Sequence, residues 1–400
     1  MSSSTHSSIT ALCVMTLILM VGACGGDASP SAAKGNKDHV SPYASWPNGP
    51  DTDAAHFPVG VWLQSPSNAE AYRQIGVNLY VGLWKGPTQA QLDALTAAGM
   101  QTICALNDVG RQNLNNSTIV AWMHGDEPDN AQANPEGGWG GAVPPASIQS
   151  DYDSLRTVDP SRPIWLNLGQ GVANDEWVGR AAPREDYPEY VAGTDIVSFD
   201  VYPVSGIRKD DGERFLWYVA KGVDSLRVWG GEEAIVWNVI ETTRINSDHG
   251  PTPQQVRTEV WMSIIHGSQG IVYFAHEWNP VFREARLLED EAMRQGVSAI
   301  NEQIHRLAPI LNAGSGNVEV SVVSSDPQVP VDVMVREVDG ELYVFAVGMR
   351  LASTSATFSI DGAKLSRVIV VDEDRTLQFE AGAFTDHFDP YDVHIYHLSR

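Results

Sequence analysis

The sequence predicts an α/β chain: a (β/α)8 TIM barrel followed by a small all-β sandwich domain. Three observations predict it. Short apolar runs rich in β-branched and aromatic residues recur eight times between residues 59 and 275. Helix-period segments separate most of them, which is the pattern of a parallel sheet with crossover helices. Beyond residue 312 the strand signals continue with no helices between them.

In chain order, strands are expected at residues 59–63, 77–83, 102–106, 119–123, 164–168, 196–202, 234–241 and 270–275. Helices are expected over 88–98, 147–158 and 252–265, the last with Thr252 as N-cap and Pro253 at the first helical position, and a long helix over 287–311. Eight such repeats over about 250 residues suit a closed barrel. A doubly wound sheet competes with that reading, but it usually carries a glycine-rich phosphate loop after its first strand, and Gln64-Ser65-Pro66-Ser67 is not one. The β domain should hold strands at 318–323, 331–338, 342–347, 356–360, 368–371 and 393–396, with Asp339-Gly340 as a hairpin turn. The expected division is 1–23 signal, 24–55 flexible tether, 56–312 barrel and 313–400 sandwich.

Composition narrows the function. Of 400 residues 43% are hydrophobic, enough for a large core, so wholesale disorder is excluded. Lys and Arg number 26 against 50 Asp and Glu, a net charge of −24. No basic surplus remains to neutralise phosphates, which argues against a nucleic-acid partner and, more weakly, against a polyanionic glycan.

Residues 9–22 form an apolar run too short to span a membrane comfortably, and Val21-Gly22-Ala23-Cys24 follows. This stretch resembles the lipobox of bacterial lipoproteins, which implies a lipid on Cys24 and an exported chain anchored to the bacterial cell membrane. It departs from that pattern in having no Lys or Arg in residues 1–8, and an ordinary cleaved secretory signal is the other reading. The Ser-, Pro- and Gly-rich residues that follow cannot bury enough surface to order themselves, hence the tether. Of three cysteines, Cys13 leaves with the signal; with Cys24 acylated, Cys104 is most simply a buried strand residue. No CxxC pair or HExxH helix supports a metal site, and nothing calls for a cofactor.

Chemistry in such a barrel sits at the C-terminal ends of the strands. The fourth strand ends in His124-Gly125-Asp126-Glu127-Pro128-Asp129, the sixth in Asp200-Val201-Tyr202, the seventh in Ile240-Glu241-Thr242 and the eighth in His276-Glu277-Trp278. Glu127 and Glu241 lie 114 residues apart, three βα units, so two carboxylates could converge from opposing walls. Cleavage of a glycosidic bond uses such a pair, one carboxyl giving a proton to the leaving oxygen while the other attacks or stabilises the anomeric carbon.

On these residues the layout resembles the clan A glycoside hydrolases over residues 57–311. Trp122, Glu127 and Pro128 match the motif around that clan's acid/base Glu, whereas Asp126 stands where Asn is usual. The resemblance implies Glu127 as acid/base, Glu241 as nucleophile, a retaining mechanism on a neutral or amino-sugar glycan, and Trp278 as the strand-eight aromatic beneath the sugar. An Asp-Glu pair ending strand four is also similar to the substrate-assisted hexosaminidases, in which the Asp orients a 2-acetamido group that attacks the anomeric carbon and the Glu is the acid. A catalytically silent glycan-binding barrel is a third reading. Separately, Asp126-Glu127-Pro128-Asp129 could be only a helix start, and Glu241 only a solvated strand end.

Other polar groups at the mouth are candidates for sugar binding. Asp200 and Tyr202 share one face of their strand by period-two alternation. Trp62, Trp84 and Trp278 lie at strand ends where their rings could stack on pyranose faces, and Trp139 could close over substrate from the long fourth loop. Asn107 and Asn167 end strands three and five as possible hydroxyl binders, and Glu277 reads as a rim residue. Trp122, Trp165 and Trp237 lie within strands and read as core.

Overall fold

The computed structural model describes residues 41–399 apart from 178–181, 208–210, 232–233, 246, 316–317 and 361–366. Cys24, the signal segment and the first part of the tether lie outside the described residues.

Eight parallel strands close a barrel in sequence order: β1 (Val59–Trp62), β2 (Leu79–Val81), β3 (Gln101–Cys104), β4 (Ile119–Met123), β5 (Ile164–Leu168), β6 (Ile196–Asp200), β7 (Ile235–Glu241) and β8 (Ile271–Phe274). Closure is direct, with Val59 of β1 registered on Ile271 of β8. The surrounding helices are α1 (Ala69–Gln74), α2 (Gln89–Ala97), α3 (Asp108–Gln112), α4 (Pro145–Val158), α5 (Tyr187–Ala192), α6 (Tyr218–Gly230), α7 (Pro253–Ile265), α8 (Arg286–Glu289) and α9 (Glu291–Leu311). Thr88 and Thr252 cap α2 and α7 with full capping boxes, each Thr side chain accepting from the backbone N–H of a Gln three residues on. The expected long helix is interrupted at Asp290, whose carboxylate accepts the Met293 N–H and starts α9 afresh.

Alternation along the strands divides the core in two. One set of side chains, among them Val61, Trp122, Val197, Phe199, Val236, Ile240 and Tyr273, packs under the helices. The other, including Trp62, Val81, Ile103, Ala121, Trp165, Ile196, Trp237, Val239 and Val272, fills the barrel. Trp122, Trp165 and Trp237 are buried as their positions within strands predict, and so is Cys104. Gly270 is dictated by Trp237, because a Cβ there would lie 2.5 Å from the indole ring.

The tether expectation needs correcting at its C-terminal end. Residues 41–55 lie against the barrel, and Tyr43 enters its lower end, donating to the Gln269 carbonyl at 3.0 Å and accepting from Trp237 Nε1 at 2.9 Å. Buried Tyr43 with its satisfied hydroxyl, Trp46 packed beside it and Asn48 bonded to Ser161 order a stretch whose average composition is that of a linker.

The second unit of secondary structure is a sandwich of β9 (Ser321–Ser324), β10 (Val331–Val338), β11 (Glu341–Gly348), β12 (Thr354–Ser359), β13 (Arg367–Val370), β14 (Arg375–Gln378), β15 (Ala383–Phe388) and β16 (Val393–Ser399). Five strands in the order β10-β11-β16-β13-β14 face three in the order β15-β12-β9. Asp339 and Gly340 turn the β10–β11 hairpin with positive φ at both residues, as the type I′ geometry requires. Strands β14 and β15 were not apparent from apolar runs. The five-stranded sheet is covered on both faces: Val344, Phe358, Phe384 and Tyr396 fill the sandwich, while Phe345, Val347 and Ile395 join the barrel's outer core. Trp261 of α7 stacks on Phe345 at 5.7 Å, and the Thr258 hydroxyl donates to the Tyr391 carbonyl. From Thr258 to Ile265 helix α7 is therefore buried on every side, unlike an ordinary amphipathic barrel helix.

Candidate active site

Strand β4 delivers two adjacent carboxyls to the mouth of the barrel. Glu127 adopts φ 44°, a left-handed conformation that a residue with a Cβ enters at a cost. Its N–H donates to the Asn167 carbonyl of β5 at 3.1 Å, and Asn130 Nδ2 donates to its Oε2 at 3.2 Å. A Cβ on Gly169 would lie 2.9 Å from Glu127 Oε1, so the chain after β5 must be glycine for this carboxyl to lie where it does. Asp129 is buried beneath, accepting from the Gly169 N–H and the Tyr187 hydroxyl at 2.9 Å each. It locks the β4 turn onto the β5 turn and rules out the simple helix-start reading, since no helix begins there.

Asp126 accepts from Asn167 Nδ2 at 3.1 Å. Its residue is exposed at the rim, with Asn167 and Glu127 crowding its carboxyl. Burial, then the Glu127 charge, pushes that carboxyl up to about 7, against the Asn167 hydrogen bond. Across the mouth, Asp200 ends β6 with its carboxyl against Glu127 and the Tyr202 hydroxyl, and its Oδ1 has no donor. Burial, then the Glu127 and Asp126 charges, holds Asp200 well above the usual carboxylate range. Burial and the neighbouring Asp200 likewise raise the Tyr202 hydroxyl. The structure thus brings together Asp126, Glu127, Asn167, Asp200 and Tyr202 from β4, β5 and the end of β6. Carboxyls this crowded cannot all ionise at neutral pH, so the cluster retains protons.

Beside the acids lies apolar surface. Leu63, Met123, Tyr202 and Phe274 are partly buried over the barrel core, with the Tyr202 and Phe274 rings 5.2 Å apart. Trp278 and Trp84 are 49% and 66% exposed, Trp139 is exposed on the β4 loop, and Trp278 lies 4.9 Å from Phe282.

Three other expectations change. Trp62 is buried, 8% exposed and tilted against Trp165 at 5.8 Å, so its face is already covered by the core. Asn107 caps α3: its Oδ1 accepts the Gly110 N–H and its Nδ2 donates to the Pro87 carbonyl, both at 2.9 Å, leaving its amide engaged. Glu277 is buried between Arg244 and Arg286 rather than on the rim.

Glu241 is the largest departure. It is fully buried, and its carboxylate accepts the Val204 N–H at 2.6 Å on Oε1, the Ser205 N–H at 2.8 Å on Oε2, and the Ser205 hydroxyl. Its other neighbour is the carboxyl of Glu259 on α7. Nothing of Glu241 reaches the mouth; the turn after β6 folds over it and uses its lone pairs.

Known structures share this architecture. A GH42 β-galactosidase from G. stearothermophilus, solved as a catalytic mutant, superposes with a TM-score of 0.56 at 10% identity, covering 90% of this chain and 100% of that one. A putative α-galactosidase/melibiase from Bacteroides fragilis superposes with a TM-score of 0.52 at 10% identity, covering 86% and 80%. This is a fold that glycoside hydrolases use. At such identities the likeness is one of architecture alone. No protein-family profile matches the sequence, and no curated protein does.

The residues that sequence reasoning missed are those that hold the acids. Asn130, Gly169 and Glu259 carry no motif of their own. Only Gly169, two residues after Asn167 at a strand end, had a recognisable signal.

Proposed function

We propose that this chain is a glycoside hydrolase acting on a 2-acetamido sugar, with Glu127 as the proton donor and Asp126 as the group that orients the substrate's acetamido. The observation that carries this reading is the meeting of Asp126, Glu127 and Asp200 at the mouth while Glu241 offers no oxygen there. In the proposed reaction Glu127 protonates the glycosidic oxygen as the bond to the anomeric carbon breaks. The acetamido carbonyl oxygen forms the new bond to that carbon, and Asp126 accepts the amide N–H and balances the developing positive charge. Water then attacks the anomeric carbon from the vacated side as the bond to the acetamido oxygen breaks and the neutral acetamido group is restored, giving its proton to Glu127, and configuration is retained. Tyr202 and Asn167 hold the two flanking Asp carboxyls, while Trp278 and Trp84 provide stacking surface for the glycan.

A protein nucleophile at Glu241 would first have to leave three hydrogen bonds to a charged group, a cost of about 5 kcal/mol or more. That is why the substrate-assisted course is preferred here. The test is a panel of aryl glycosides in pairs that differ only at position 2. Release of the aryl group from 2-acetamido members, and not from their 2-hydroxy counterparts, is expected; equal turnover of both would end this reading.

We further propose that Cys24 carries the lipid that holds the protein at a bacterial membrane, on the strength of the Val-Gly-Ala-Cys stretch. Cys24→Ala should move the protein from the membrane fraction to the soluble exported fraction; an unchanged distribution would count against the anchor.

A further inference from the structure

Glu259 stands on the face of α7 turned to β7, one helical turn before Ser263, whose hydroxyl accepts from Asn238 Nδ2 at 2.7 Å. That face is otherwise apolar. Glu259 and Glu241 are both fully buried and their carboxyls face each other. Two bare carboxylates in contact in a dry interior would repel strongly with no water to screen them, so the pair must hold a proton. The surroundings say which oxygen atoms carry the charge. Glu241 receives the Val204 N–H, the Ser205 N–H and the Ser205 hydroxyl, whereas neither oxygen of Glu259 accepts from any donor. The anion therefore belongs on Glu241 and the proton on Glu259.

We propose that Glu259 is a positioning residue for the reaction: as a neutral acid it donates to the Glu241 carboxylate, and the pair clamps the turn after β6, and with it Asp200 and Tyr202, against the barrel. Burial raises both groups, Glu241 to about 7 and Glu259 well above the usual carboxylate range, the latter also through the Glu241 charge. The opposite side of α7 is bound to the β domain through Trp261, through Thr258 to the Tyr391 carbonyl and through Arg257 to the Val393 carbonyl at 3.1 Å. The sandwich thereby sets the height of the helix that holds the clamp, which gives it a part in shaping the mouth without touching substrate. This inference rests on the reading of Asp126, Glu127 and Asp200 as the reacting cluster.

Glu259→Gln retains a donor at the same place and Glu259→Leu does not. In the Leu variant burial drives the proton onto Glu241, and a neutral acid holds the two amides more weakly. Hydrogen exchange at Val204 and Ser205 should match wild type in the Gln variant and speed up in the Leu variant. In the Leu variant kcat should fall about 10–100-fold with KM little changed, and in the Gln variant kcat should stay within about threefold of wild type. A protonated-carboxyl infrared band should appear in the difference between wild type and Glu259→Gln at neutral pH. Absence of that band overturns the shared proton, even if the Leu variant fails to fold. Wild-type exchange and kcat in the Leu variant, or a Gln variant as damaged as the Leu variant, overturns the clamp. Exchange and infrared measurements use no substrate, so a protein that cleaves no glycoside would end the functional proposal while the clamp itself is still decided.

Discussion

Glu127→Gln is expected to lower kcat on 2-acetamido glycosides by about 10²–10⁴-fold, the usual contribution of a positioned general acid. Gln has the same length and can keep the Asn130 contact through its amide oxygen, so what is lost is the transferable proton. The deficit should depend on the leaving group. An aryl oxygen that departs readily as an anion needs little protonation, so activated aryl glycosides should lose much less rate than oligosaccharides. A purely structural role for Glu127 would give equal losses on both. The melting temperature should not fall, because the change removes one of three crowded carboxyls rather than a buried ion pair. A Gln variant that cleaves oligosaccharides at the wild-type rate would remove Glu127 from the mechanism.

Asp126→Asn is expected to cost about 10²–10³-fold in kcat/KM on the same substrates, comparable to the loss of one preorganised group facing developing charge. Asn can still accept from Asn167 Nδ2, but it carries no negative charge to balance an acetamido group that becomes cationic. The wild-type pH profile should carry the same information. Asp126 is raised from an ordinary value of 3.8 to about 7 while Glu127 beside it is charged; the reacting form holds one proton on the pair, on Glu127, so kcat/KM should fall on the acid side where a second proton neutralises Asp126. The Asn variant should lose this limb.

Stability should move the opposite way. A carboxyl whose folded value is raised binds its proton more tightly in the folded chain than in the unfolded one. It thus contributes stability at acid pH that is lost as pH rises from its ordinary value of 3.8 through about 7. Thermal melts across that window should show the wild type losing stability relative to Asp126→Asn. A variant equally stable at every pH, with an unchanged acid limb, would show that Asp126 is neither strained nor needed.

Much of the architecture was legible from side-chain periodicity. Strands β4 and β5 and the β10 strand fall on the residues expected, and the other barrel strands differ by a few residues at their ends, where pairing rather than composition decides the boundary. Two strands of the sandwich were hidden for an identifiable reason. In β15 the inward positions are Phe384, Asp386 and Phe388, and the carboxyl in the middle interrupts the alternation. It is tolerated because Tyr396 and Arg375 bond it. In β14 only Leu377 is apolar. Tyr43 was hidden in the opposite way, a buried aromatic that, with Trp46 packed beside it, fixes the polar stretch around it.

The acidic mouth was half legible. Position at a strand end marked Asp126, Glu127, Asp200 and Tyr202, since a closed parallel barrel sends the last residues of each strand toward one opening. Glu241 met the same criterion, yet the folded chain spends it on the amides of Val204 and Ser205 and on Glu259. Periodicity along a chain states which way a side chain sets out, because it follows from backbone geometry that neighbours in sequence share. Which lone pairs are already taken depends on turns and helices far away in the chain, here residues 204–205 and 259, and only their meeting in space decided that one carboxylate faces substrate and another holds a turn.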